Sequence, residues 1–545
     1  ADQSWPVRTK TGKTAATQLT HLRGEQGQPR FSPDGRRLAF ASDRQTHAFV
    51  GVLDLAAKRV TWMSPSVDRD LFPTWAPDGT KLLFLRLAAR EAPPAFVARP
   101  SGQPWSLVVA DAATGVGHEL FRAAPGDGSV FHFFETQERN LWWSADERVL
   151  FPWEKTGWHH VWSIPAAGGE PVDLTPGTGE VEHATLAPDG RTLYFTTNVG
   201  DLDGRRLDRV AAAGGEASRI DAGDDKFEFF PAPLAGGALA WLETAAREPL
   251  TVVLASDGNN GSHGRPLRPE AIPVSFPAAG LQIPKNVVFP STDGLAIHGQ
   301  LFLPSAATAG AKSPALIFVH GGPVRQMFAA FHPMDYYHQA YAVNQLLAAR
   351  GFVVLSVNYR SGIGYGLHFR EAEGIGETSA SEFQDVLGGA LYLESLPTVD
   401  GERIGIWGGS YGGYLTAMAL ARASNLFKAG VDYHGVHDWN LEFSNPPFTR
   451  TYLETADRLA RAWRASPMAD VAKWRSPVLL IQGDDDHNVP FAETIRLTEA
   501  LRKAHVPLDL LVFPDEIHGF LLHRSWMTAY AATVDFLERQ LGLVN

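Results

Sequence analysis

A β-propeller in the first half of the chain and a doubly wound, mostly parallel α/β sheet in the second is the architecture this sequence predicts. Three observations carry that expectation: a Pro-Asp-Gly phrase recurs through the first half, a proline-rich stretch then interrupts it, and apolar strands alternate with helical segments from there to the end. At 545 residues the chain also exceeds what a single hydrophobic core organises, so two domains are expected.

The repeats come first. Phe31-Ser32-Pro33-Asp34-Gly35, Trp75-Ala76-Pro77-Asp78-Gly79 and Leu186-Ala187-Pro188-Asp189-Gly190 each lead into an apolar, strand-like run, and Trp143 to Glu147 and Pro233 to Gly237 are degenerate copies. Starts at 31, 75, 143, 186 and 233 give spacings of 44, 68, 43 and 47 residues. A tight turn between short strands at that interval is the signature of four-stranded propeller blades. The long interval carries an insertion near Arg90 to Trp105. Ala166 to Glu170 and Ala212 to Glu216 repeat Ala-Ala-Gly-Gly-Glu in phase with the first series. Five blades are visible, and residues 1–275 have length for six or seven. Asp201-Leu202-Asp203-Gly204 reads as a turn, since the other ligand positions of a calcium loop are missing. His159 and His160 would face opposite sides of a strand, which suits packing better than a shared metal.

Pro266, Pro269, Pro273, Pro277 and Pro284 mark a linker near 265 to 285, dividing a propeller (1–275) from a second domain (276–545). Asn286 to Pro290 and Leu295 to Leu303 read as a hairpin. Strands at 315–320, 352–359, 404–407, 429–433, 478–482 and 508–513 follow, with helices at 379–394, 491–504 and 526–541 among their connections. Near-continuous apolar strands imply a parallel sheet covered on both faces, with functional groups at the carboxyl ends of the strands.

Three such ends carry chemistry. Ile404 to Trp407 runs into Gly408-x-Ser410-x-Gly412, the form of a nucleophile elbow, and Leu415 to Ala421 continues as good helix formers. Asp484-Asp485-Asp486 follows the strand ending at Ile481, and His518 follows the strand ending at Val512. The order serine, acid, histidine is that of α/β-hydrolases. A serine hydroxyl needs an imidazole to remove its proton, and the imidazole needs an acid to fix its tautomer. Ser410 is therefore the candidate nucleophile and His518 the candidate base. Spacing from the strand favours Asp486 as the acid, with Asp485 second. Val319-His320-Gly321-Gly322-Pro323 is a glycine-rich strand end, so Gly322 N–H and Tyr411 N–H are the candidate oxyanion donors.

Composition narrows the partners. The formal charge of −12, without a cluster of Lys and Arg, argues against a nucleic-acid partner. No apolar run reaches the roughly 18 residues of a membrane span. Zero cysteines exclude disulfides and thiolate catalysis but leave the compartment open, cytoplasmic or exported after processing. No cofactor or metal is expected, and a homo-oligomer stays open.

His320 to Pro323, Asn358-Tyr359-Arg360 with Gly364-Tyr365-Gly366, Gly408 to Tyr414, Gly483 to Val489 and Pro514 to His518, behind a propeller, resemble the prolyl oligopeptidase family of serine peptidases over nearly the whole chain. The resemblance implies that the propeller caps the active site and admits peptides rather than folded proteins. It is strongest to the dipeptidyl-peptidase and acylaminoacyl-peptidase branches. In the former, Tyr411, Val436, Trp439 and Val489 match residues lining a flat apolar slot for proline or alanine, and Asn488 matches the amide that holds the preceding carbonyl. Glu442 and Pro446 stand where that branch has two further tyrosines. That branch also grips the substrate's amino terminus with adjacent propeller glutamates, and the nearest counterparts here are Glu135 and Glu138, which helical spacing would place on one face. The expected activity is a serine exopeptidase releasing dipeptides or similar pieces from the amino terminus, with proline, alanine or a small apolar residue before the scissile bond. An acylaminoacyl peptidase or oligopeptidase is the alternative, and a carboxylesterase or amidase a more distant one.

Overall fold

The structure, a computed structural model, describes residues 6–9, 12–15, 18–89, 96–134, 137–220, 223, 225–256, 264–304, 312–442 and 455–543. Five four-stranded antiparallel sheets fill the first half, spanning 25–62, 69–122, 142–173, 181–219 and 227–266, the first two joined into one eight-stranded sheet by a single parallel pair, Ala48 with Arg69. They are the five blades legible as repeats. A two-stranded hairpin, Pro6–Thr9 with Gly12–Ala15, precedes them. A sixth or seventh blade is not found among the described residues.

The repeat has a conformational cause. Gly35, Gly79 and Gly190 take φ of 70°, 71° and 67°, where a side chain is strained. Their N–H groups donate to the carbonyls of Ser32, Ala76 and Ala187 at 2.8, 2.9 and 2.9 Å, closing each turn. In one degenerate copy Glu147 occupies the same position at φ 54°.

The second half is an eight-stranded sheet in the order Lys285–Pro290, Ala296–Phe302, Val353–Asn358, Ser313–Val319, Val399–Gly409, Phe427–Tyr433, Val478–Gly483, Leu508–Phe513. The first two strands form the expected hairpin, antiparallel to each other and to their neighbour, and the rest are parallel. Helices Glu382–Ser395 and Tyr411–Arg422 bury one apolar cluster against one face. Helices Asp335–Ala349 and His523–Gln540 bury a second against the other. A further helix, Ala456–Arg464, lies outside the alternation read from sequence. No helix among the described residues is long and apolar enough to cross a membrane.

The two halves meet through the loop after strand Val353–Asn358. Arg370 makes two hydrogen bonds, 2.7 and 2.9 Å, to buried Glu154 of the third sheet. Burial would raise the Glu154 carboxyl, but Arg370 and His132 beside it hold it down to about 2. Glu180 accepts the N–H groups of Gly364 and Gly366 at 2.7 and 3.0 Å. Asp203, in the turn that superficially suggested calcium, accepts the Tyr365 hydroxyl at 2.8 Å and faces His298 at 3.0 Å. His160 bonds Asp173 and the Gly179 carbonyl, while His159 packs on Phe134.

Candidate active site

Ser410 stands between strand Val399–Gly409 and helix Tyr411–Arg422 at φ 59°, ψ −121°. That conformation costs a non-glycine residue ~1–3 kcal/mol and persists only where its surroundings impose it. They do so here: the Ser410 N–H donates to the Tyr433 carbonyl at 2.9 Å and meets His434 Nδ1 at 3.2 Å. The flanking glycines are obligatory for space. A Cβ on Gly408 or Gly412 would lie 2.3 or 2.1 Å from the Val319 carbonyl oxygen.

Two other strand ends converge on this point. His518 Nδ1 lies 2.7 Å from Oδ2 of buried Asp486, whose Oδ1 accepts the N–H groups of Asn488 and Val489 at 2.8 and 2.9 Å. The other two aspartates are occupied elsewhere. Asp485 is exposed beside His487, and Asp484 accepts the Asp515 N–H. His434, a residue the sequence reading passed over, packs on His518 with ring centroids 4.1 Å apart. Burial, and then the neighbouring His518, push His434 well below the usual histidine range, so it is neutral and its Nδ1 can accept from Ser410. His434, Asp486 and His518 are also the one group among the described residues whose metal-ligating atoms lie within 4.8 Å of one another, but Asp486 and His518 are already bonded to each other.

Gly322 has φ 57°, and the preceding Gly321 N–H is taken by the Tyr337 hydroxyl at 3.1 Å. Among the described residues neither the Gly322 N–H nor the Tyr411 N–H has a hydrogen-bond partner. Both are therefore available to a negative oxygen.

Tyr411, which follows the serine, is buried, as are Val436, Trp439 and Val489. The Tyr411 hydroxyl donates to Glu382 at 2.5 Å, and its ring lies 5.8 Å from that of Trp439. Phe96, from the insertion in the first half, covers them, with centroids 5.5 Å from Tyr411 and 5.4 Å from Trp439. Its segment is docked on the second half: Arg99 N–H donates to Glu371 at 2.6 Å, and a Cβ on Gly376 would lie 2.2 Å from the Phe96 carbonyl oxygen. The only sequence signal for Phe96 was the extra length of that repeat.

Asn488 is exposed at the same loop. Glu135 lies outside the described residues, as does Pro446. Glu138 is exposed and 3.9 Å from Arg30. Residues 131–134 and 137–140, which flank Glu135, are not helical. Behind the Gly322 loop a cavity of about 60 Å³ is lined from both halves by His132, Glu180, Arg205, Arg325 and Arg370, among others.

Comparison with known proteins agrees with this layout. Residues 338–544 match the prolyl oligopeptidase family, and residues 98–235 match the N-terminal region of dipeptidyl peptidase IV. Dipeptidyl aminopeptidase BIII of Pseudoxanthomonas mexicana is 31% identical over 269 residues, 46% of this chain and 38% of that protein. A probable dipeptidyl peptidase 4 of Aspergillus fumigatus is 29% identical over 430 residues, 73% of this chain and 51% of that protein. The matched part thus spans half or less of these relatives' own length, to within a per cent. A puromycin-hydrolyzing peptidase of Mycobacterium tuberculosis shares the fold with TM-score 0.78 at 21% identity, over 99% of this chain and 86% of that one. Residues 338–544 thus carry a prolyl oligopeptidase family domain, behind a region, 98–235, like the N-terminal part of dipeptidyl peptidase IV, and the chain as a whole is similar to peptidases of that family.

Proposed function

We propose that the protein is a serine exopeptidase that releases dipeptides or similar short pieces from the amino terminus of peptides, through an acyl-enzyme on Ser410. The observation that carries this reading is the 2.7 Å contact between His518 and buried Asp486 beside a serine held at positive φ. Asp486 keeps the His518 proton on Nδ1, leaving Nε2 to take the proton of Ser410 as its oxygen attacks the scissile carbonyl. The Gly322 and Tyr411 N–H groups receive the developing oxyanion. His518 then returns the proton to the leaving amine, and a water repeats the sequence to release the acyl group. Tyr411, Val436, Trp439 and Val489 form the slot for the residue before the scissile bond, which suits proline, alanine or another small apolar side chain. Asn488 holds the preceding carbonyl. Residues 276–545 carry this chemistry, and residues 1–275 act as a cap that restricts entry to short peptides.

The test is a panel of p-nitroanilide peptides with free or acylated amino termini and Pro, Ala or bulky residues before the leaving group. Hydrolysis preferring free amines and lost in Ser410→Ala is expected. A preference for acylated substrates would transfer the reading to an acylaminoacyl peptidase, and full activity in Ser410→Ala would end the serine mechanism.

A further inference from the structure

The proposed reading leaves open what grips the free amino terminus, since Glu138 points to Arg30 at the surface. A different carboxylate stands beside the slot. Trp439 and Glu442 begin and end one short helix, Trp439–Glu442, and three-residue spacing puts both side chains on one face. Trp439 packs against Tyr411 and Phe96, so that face is the one turned to the substrate slot. Glu442 is only 3% exposed, yet among the described residues its Oε2 has no hydrogen-bond partner.

Its neighbourhood is acidic. Glu493, fully buried, accepts the N–H groups of His437 and Asp438 at 2.9 Å each through Oε2, which fixes the start of this helix, while its Oε1 is also unpartnered. Among the described residues the nearby cationic groups are committed: Arg496 faces Asp438 at 3.4 Å, and His437 bonds Asp432 at 2.8 Å, with its other nitrogen 3.9 Å from Glu493. Burial first, then the charges of Glu493 and Asp486, push Glu442 up to about 8. A buried carboxyl without a donor is costly unless a ligand completes it. A two-residue acyl group on Ser410 carries its ammonium about 7 Å from the acyl carbon, so the group that meets it belongs beside this slot.

We propose that Glu442, on a helix positioned by Glu493, binds the α-ammonium of the substrate and so selects peptides with a free amino terminus. The proposal rests on the serine exopeptidase reading. Held there, the ammonium donates to the unpartnered Oε2, and its positive charge favours the ionised carboxylate.

The experiment compares Ala-Pro-p-nitroanilide with its N-acetyl form on wild type, Glu442→Gln and Glu442→Asp, alongside the rate at which a fluorophosphonate, which has no amine, labels Ser410. Wild type is expected to favour the free amine. In Glu442→Gln the ratio of kcat/KM between free and acetylated substrate should fall about 10- to 100-fold, mainly through KM, with labelling preserved. Glu442→Asp, which keeps a charge one methylene back, should fall between. A ratio unchanged in both variants overturns the proposal. So does a loss of labelling as large as the loss of hydrolysis, since Glu442 then only supports the fold. Failure of the underlying reading looks different: a wild type that prefers the acetylated substrate, or whose Ser410 does not label at all.

Discussion

Replacing Asp486 by asparagine separates its role from that of the aspartate next to it. Oδ1 of Asp486 is already committed to the Asn488 and Val489 N–H groups at 2.8 and 2.9 Å, so an asparagine would keep its oxygen there. Its amide nitrogen would then face His518 Nδ1, where the carboxylate oxygen now lies at 2.7 Å. Two donors cannot share that contact, so the imidazole proton moves to Nε2, the atom that has to accept from Ser410. The wrong tautomer is expected to cost about 10⁴-fold in kcat, or ~5 kcal/mol of barrier. Asp485→Asn, by contrast, removes only an exposed contact with His487, and its effect should stay within about twofold. The assay is kcat on Ala-Pro-p-nitroanilide at saturation for both variants, with circular dichroism to confirm that each is folded. A folded Asp486→Asn enzyme retaining more than about 1% of wild-type kcat would refute the reasoning, as would a comparable loss in Asp485→Asn.

Phe96→Ala removes two aromatic contacts over the slot, each worth ~0.5–1.5 kcal/mol. It should lower kcat/KM about 10-fold for substrates with Pro before the leaving group while raising the relative rate for Phe; an unchanged preference would show that Phe96 does not border the slot. Glu154→Gln leaves Arg370 a buried cation with half its partner, and a loss of about 3 kcal/mol is expected in the urea unfolding of the transition that involves the domain joint. A midpoint within error of wild type would count against that joint. Glu228 in the fifth sheet is pushed up to about 8 by burial, from an ordinary value near 4.5. A carboxyl whose folded-state pKa is raised contributes stability that is full below its unfolded pKa and is lost as pH rises through its folded one. Melting temperature should therefore fall between about pH 4.5 and pH 8 in wild type, and fall less in Glu228→Gln; equal slopes would reject the assignment.

Much of this molecule was legible because local rules act within a few residues. The left-handed position in the Pro-Asp-Gly turn selects glycine at 35, 79 and 190, and the repeat follows from it. The crowding of Gly408 and Gly412 against Val319 is likewise written into the spacing around Ser410. The choice of Asp486 over its neighbours followed from where the strand ends, and the geometry around His518 agrees with it. For the pair Glu135 and Glu138 the expectation rested on helical spacing; Glu135 lies outside the described residues, and the described residues on either side are not helical. The described residues hold five blades where chain length alone allowed six or seven, since connections and strands use length alike.

What the sequence by itself determined was the order of parts: five repeats, a linker, an alternating α/β half, and serine, acid and histidine at three strand ends. Each of those depends on the periodicity of a short segment, which is a property of neighbouring residues. Only the tertiary structure decided that Phe96, more than three hundred residues before Ser410, packs on Tyr411 and Trp439, that His434 packs on His518, and that Glu442 is buried with one oxygen unpartnered among the described residues. Those relations arise where separate elements close over one another, and burial and contact across such distances in the chain leave no mark in local sequence pattern.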